Sequence, residues 1–215
     1  MHTFLAAVVL VACSANSADA QLPNTDSLSS WRSTEANSGW AADPACHSLV
    51  FNRCRRGSLI AADPVWEKEG SVALTLHEAH GPYAAVELRF RGTGDERNFC
   101  AVVLEPQRRR LTLRQIVDGR VVGEKTSSAE LASLEWNKPY CLGYRILGRR
   151  ATVTWGGREV LSAESLVPQE AGRIGLSAEF IHVSIRKIEL AISAPEVLET
   201  FGALDAWKTH YGPDV

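Results

Sequence analysis

The sequence has no apolar run long enough to cross a bilayer. Residues 4–12 are apolar, but a ~30 Å hydrocarbon core needs about 20 such residues in a helix. No Cys-x-x-Cys pair is present, which argues against a thiolate-rich metal cage. A Gly-x-Ser-x-Gly elbow and a phosphate-cradling glycine loop are also missing, so two common catalytic or nucleotide-binding devices find no support. His77-Glu78-Ala79-His80 is one residue short of the helical zinc motif. Neither sign of charge dominates. Lys plus Arg number 23 and Asp plus Glu 25, for a net charge of −2, and that balance argues against a general nucleic-acid binder.

What is present begins with an exported-protein signature. The apolar stretch 4–12 follows only His2, without the usual basic residue, and has the length of a signal-peptide core. Two processing sites compete. Leu10-Val11-Ala12-Cys13 resembles a bacterial lipobox, with Cys13 as the lipidated first residue of an anchored lipoprotein. Ala18-Asp19-Ala20 fits ordinary cleavage after residue 20. Either route places the chain outside the cytoplasm: secreted, periplasmic, or tethered to a membrane through its lipid alone. Cys46, Cys54, Cys100 and Cys141 then remain, an even set that suggests two disulfides. Three pairings are open. The favoured one clasps Cys46 to Cys54 and joins Cys100 to Cys141; buried free thiols are the competing state.

Residues 21–56 read as an irregular lead-in, with Trp31 and Trp40 as anchors packed on the body. From residue 57 the pattern becomes that of strands. Val72, Leu74 and Leu76 alternate with Ala73, Thr75 and His77, the period of a half-buried strand. Val86, Leu88 and Phe90 do the same against Glu87, Arg89 and Arg91, and Tyr140, Leu142, Tyr144 and Ile146 against Cys141, Gly143 and Arg145. Residues 99–104 are too apolar to face water on either side. Asp118-Gly119 and Gly156-Gly157 mark hairpins, since these residues tolerate positive φ. Ile181, Val183 and Ile185 alternate with His182, Ser184 and Arg186. Many short strands separated by turns imply an all-β antiparallel sandwich, a jelly roll over 57–192. The stretch 126–134 is open between loop and helical turn. Over 193–215 the spacing of Val197, Leu198, Phe201, Leu204 and Trp207 after Pro195 predicts a short amphipathic helix at 195–209.

Three motifs carry a family resemblance. Glu135-Trp136-Asn137 opens a strand, Trp155-Gly156-Gly157-Arg158-Glu159-Val160 makes a turn, and Gly172-Arg173-Ile174-Gly175-Leu176 leads into Val183-Ser184-Ile185-Arg186-Lys187-Ile188. Together they resemble the concanavalin A-like lectin/glucanase superfamily, and within it the bacterial 3-keto-glycoside hydrolase-like and laminin-G-like domains. The resemblance implies a lectin-like sandwich and carbohydrate-related work. It implies no catalytic residue: the Glu-x-Asp-x-x-Glu strand of the glucanases is absent, and Tyr83-Ala84-Ala85-Val86 stands where the keto-glycoside family carries Asn-Ser-Gly.

Side-chain direction proposes a site. If the apolar members of each strand point inward, Glu87, Arg89, Arg91, Arg114, Arg145, His182 and Arg186 point outward. Gathered on one face they would form a groove whose guanidinium forks suit an acidic or oxidised glycan. The competing reading is a solvated face with ion pairs such as Glu87 with a neighbouring arginine. No cofactor motif is legible; Asp95-Glu96 is a solvated loop pair or, at most, a weak structural calcium site. The leading expectation is an exported carbohydrate-binding or cell-surface interaction domain without catalysis. The alternatives are a hydrolase or lyase acting on modified glycosides, and a structural envelope protein whose tail helix docks a partner.

Overall fold

A computed structural model describes residues 31–33, 39–65, 67–93, 95–127, 131, 134–164 and 171–192. They form two seven-stranded sheets. The first runs, in spatial order, β1 (Trp31–Ser33), β4 (Gly57–Ala61), β13 (Arg173–Glu179), β6 (Ala85–Gly92), β7 (Phe99–Glu105), β8 (Arg110–Val117) and β9 (Arg120–Ser127). The second runs β12 (Arg158–Glu164), β11 (Arg150–Trp155), β10 (Pro139–Leu147), β5 (Glu67–Ala79), β14 (Ile181–Ile192), β3 (Ser48–Arg53) and β2 (Trp40–Asp43). Neighbouring strands are antiparallel throughout. This is the all-β antiparallel sandwich that the alternating pattern predicts.

The alternation builds the core. Val86, Leu88 and Phe90 of β6 and Cys100, Val102 and Leu104 of β7 face inward from the first sheet. Val72, Leu74 and Leu76 of β5, with Leu142 and Tyr144 of β10, meet them from the second; all lie in one buried cluster. Each such aliphatic side chain contributes about 1.5–3 kcal/mol when removed from water. Phe90 and Tyr144 stack between the layers, ring centroids 4.0 Å apart. Tyr144 lies across from Gly70 in the β5–β10 register, and the missing side chain there is what admits its ring. A Cβ on Gly70 would stand 2.6 Å from the Tyr144 oxygen and 2.7 Å from its ring carbons. The β8–β9 reversal is the expected hairpin, with Asp118 and Gly119 at φ 51° and 76°.

The lead-in segment differs from expectation. It is not irregular: β1, β2 and β3 lie within it, β1 at the edge of the first sheet and β2, outside β3, at the edge of the second. Strands of three and four residues are too short to display an alternation. Trp31 and Trp40 are buried as expected. The Trp40 indole N–H donates to the Gly57 carbonyl at 3.0 Å, and its ring sits 5.2 Å from Phe51. The leader with Cys13, the tail helix at 195–209 and most of 128–133 lie outside the described residues.

The disulfide expectation is corrected, for all four cysteines are free thiols. Cys46 occupies the β2–β3 turn and Cys54 follows the far end of β3. The six-residue strand between them spans about 20 Å at ~3.3 Å per residue, far beyond disulfide reach. Cys100 points into the core from the first sheet, whereas Cys141 alternates with core-facing Leu142 on the second and points away. Burial pushes the Cys100 thiol up to about 12, so it stays protonated.

Gly70→Ala is expected to lower the unfolding free energy by ~1–3 kcal/mol through overpacking. Chemical denaturation with unchanged strand content by circular dichroism checks this; an unaltered midpoint would contradict the packing described.

Candidate functional site

The register of the first sheet lays outward side chains in rows that cross the strands. One row passes from Ser58 through Ser177, Glu87 and Val103 to Thr112. The next passes from Ile60 through Gly175, Arg89, Ala101 and Arg114 to Glu124. A third joins Phe99, Ile116 and Val121. Small residues in the rows leave space between long ones. The result is a groove of about 340 Å³, lined by Arg56, Ser58, Glu87, Arg89, Glu96, Phe99, Ala101, Val103, Arg114, Ile116, Gly119 and Val121.

Its polar wall is a chain of charges. Arg56 Nη2 donates to both oxygens of Glu87, at 3.1 and 2.9 Å. Arg89 donates through Nε and Nη2 to Glu87 Oε2, each at 3.0 Å, and through Nη1 to Glu96 Oε2 at 3.1 Å. The Arg89 guanidinium lies 4.5 Å over the Phe99 ring, so it is fixed at its edge and on its face. Burial works to raise the Glu87 pKa, but the Arg89 and Arg56 charges outweigh it and hold the carboxyl below the usual carboxylate range. Arg56 Nε also donates to Ser177 Oγ at 3.3 Å. Phe99, Ala101 and Val103 form a second apolar cluster beneath this wall, which accounts for β7 being apolar on both faces.

Of the seven residues the alternation nominates, Glu87, Arg89 and Arg114 come together here. Arg114 pairs with Glu124 at 3.3 Å. Arg91 does not join them. It takes φ 52° where the β6–β13 register slips, and the alternation reverses. Its guanidinium turns inward to Glu67, with Nε 3.2 Å from Oε1 and Nη2 donating to the Glu67 carbonyl at 2.6 Å. Arg145, His182 and Arg186 belong to the second sheet, so one shared groove is ruled out. Arg145 pairs with Glu69 at 3.1 Å, and Arg186 is exposed. The pattern missed Arg56, Ser58, Ser177 and Glu96. Arg56 lies between strands and Glu96 in a loop, where no periodicity points, and Glu96 reaches the groove through a φ of 57°.

His182 stacks on His77, ring centroids 4.6 Å apart. Burial, and then the neighbouring His77 and His80, hold its pKa below the ordinary histidine value. His77 bridges Asn137 Oδ1 and Ser184 Oγ, each at 2.9 Å. Hydroxyl, imidazole and amide thus stand in nucleophile–base–orienter order. Ser184, however, lies mid-strand and buried, and the arrangement ties the 134–138 loop to the sheet. Asn137 N–H donates to the Leu76 carbonyl at 2.7 Å for the same end. Asp95 and Glu96 do not converge on a cation. The Thr93 hydroxyl and then the Arg97 N–H hold the Asp95 carboxyl below its usual value, while Glu96 serves Arg89. Among the described residues no group of three or more His, Cys, Asp or Glu side chains is placed to hold a metal ion.

No protein-family model matches the chain, and no curated protein matches it in sequence. Solved structures match its fold. The carbohydrate binding module CBM66 from Bacillus subtilis gives a TM-score of 0.60 at 17% identity, over 74% of this chain and 93% of that one. The Bacillus licheniformis β-glucanase gives 0.59 at 10% identity, over 76% and 92%. The exoplasmic/lumenal domain of VIP36, in its Ca²⁺/Man3GlcNAc-bound form, gives 0.60 at 15% identity, over 83% and 90%. At these identities the likeness is one of fold, and the fold is the concanavalin A-like jelly roll.

The buried pair makes a pH prediction. Burial raises the Glu67 carboxyl from 4.5 to about 7, the Arg91 charge and hydrogen bonds offsetting only part. Between those values the folded state holds the proton more tightly than the unfolded chain, so stability falls as pH rises. From about pH 4.5 to 7 the loss is on the order of 1 kcal/mol per pH unit. Denaturation of Glu67→Gln across that window should lack this decline; parallel slopes for the two proteins would refute the assignment.

Proposed function

We propose that the groove on the first sheet binds a carbohydrate and that the protein is an exported, non-catalytic glycan-binding domain. The observation that carries this is the fixed Arg56–Glu87–Arg89–Glu96 chain in one groove with the apolar, accessible Ile116 and Val121. Sugars present hydroxyl edges and C–H faces together, and such a surface offers both kinds of contact. Arg89 is held before any ligand arrives, which lowers the ordering cost of binding. Arg56 keeps an exposed side chain while paired with Glu87, and its guanidinium favours a uronic or otherwise acidic, oxidised sugar over a neutral one. Two structural neighbours point the same way. One is a carbohydrate binding module, and another was solved with Man3GlcNAc bound. Export through the apolar leader, with or without a lipid on Cys13, would bring the groove to extracytoplasmic glycans.

A hydrolytic reading, on modified glycosides, draws on Glu87 and Glu96 sharing the groove. Glycoside hydrolysis needs one carboxyl kept protonated as an acid and a second as base or nucleophile. Glu87 is held ionised by its arginines, and both carboxylates are engaged by Arg89. That commitment suits binding better than proton transfer.

A glycan array followed by titration tests the proposal. Retention of a glycan, an acidic one more strongly at low salt, is expected. Arg56→Ala should weaken it about tenfold or more, the loss of a charged hydrogen bond worth ~1.5–3 kcal/mol. Arg145→Ala, on the other sheet, should leave it unchanged. No retained glycan, or equal losses from the two variants, would overturn the reading.

A further inference from the structure

The groove is chemically divided along its length, and the division follows strand order. Its β4–β13–β6 half presents Arg56, Ser58, Glu87 and Arg89; its β8–β9 end presents Ile116 and Val121, with Val103 of β7 buried beneath. Six strands separate Ser58 from Val121, counting both ends. At ~4.8 Å per strand the groove therefore spans about 24 Å. Val121 is 53% exposed, and Ile116, its partner across β8 and β9, is half-buried. This pair leaves apolar area open to water at one end of the groove. A fully hydroxylated chain lying across the strands would satisfy the first half and strand its hydroxyls over the second, where no charged donor lines the floor except Arg114, already paired with Glu124.

We propose that the ligand is amphipathic: a saccharide bearing an apolar substituent, acyl, alkyl or aryl. Its sugar part lies on Arg56, Glu87 and Arg89, and its apolar group lies on Ile116 and Val121. This rests on the carbohydrate reading above and narrows it to substituted glycans or glycolipid-like glycosides. Burial of a few methylene groups against Ile116 and Val121 supplies binding free energy that a bare sugar lacks, while the arginine wall keeps the orientation single.

The test uses the full chain and the methyl and octyl glycosides of a glycan retained on the array, both kept below micelle-forming concentration. Titration calorimetry should show the octyl glycoside binding at least tenfold more tightly than the methyl glycoside. Val121→Asp, at an exposed position where folding is undisturbed and verifiable by thermal melting, should bring that ratio close to one. Arg56→Ala should weaken both glycosides. Equal affinities for the two glycosides in the native protein would overturn the amphipathic ligand and leave the carbohydrate reading standing. An octyl advantage that survives Val121→Asp would overturn it as well, since the apolar group would then sit elsewhere. Failure of both glycosides to bind would remove the carbohydrate reading and this inference with it.

Discussion

Phe90 and Tyr144 meet ring on ring between the two sheets, and much of the molecule is arranged around that contact. With Phe90 committed inward, the pleat of β6 leaves Glu87 and Arg89 no choice but the outer face. Tyr144 in turn can reach Phe90 only because Gly70 on the neighbouring strand has no side chain to obstruct it. The outer face of the first sheet is thus set from within. Its charged wall is the other side of a decision made in the core.

The same chain handles its arginine–glutamate pairs in two opposite environments. Arg91 and Glu67 are enclosed between the layers, where neither charge retains its water and the carboxyl is pushed up to about 7. Buried pairs of this kind seldom gain net stability over an apolar pair; they restrict how the layers can be aligned. Arg89 and Glu87 sit on the outer face, where two guanidiniums share one carboxylate and keep it ionised. Two residues along one strand separate these situations. The left-handed φ of Arg91 is what divides an arginine turned to the core from one turned to the groove.

That turn also marks where reading the residues in order stops working. The strands containing 72–77, 86–90, 140–146 and 181–185 were legible because inward and outward residues alternate with little interruption. The hairpins at Asp118-Gly119 and Gly156-Gly157 were legible because positive φ demands such residues. Trp31 and Trp40 were recognisable as anchors, yet the strands bearing them were too short to betray a period. Arg91 looked outward because alternation cannot foresee a local reversal. Arg145 and His182 looked like companions of Arg89 because alternation gives the side of a strand and not its sheet. Cysteine count could suggest pairs, but only the placement of Cys100 and Cys141 on opposite sides of a layer could refuse them.

The rows that make the groove are short in space and long in sequence. Ser177 meets Ser58 and Arg56 across 119 and 121 positions, and every strand from β4 to β9 in the first sheet adds one member to a row. Residues 85–127, with the consecutive strands β6 to β9, carry ten of the twelve lining residues, and Arg56 and Ser58 join them only through β13. The polar end of the groove is therefore completed by the long-distance β4–β13–β6 pairing, and a molecule held across it would act as a clamp on the finished sheet, favouring the folded chain by mass action.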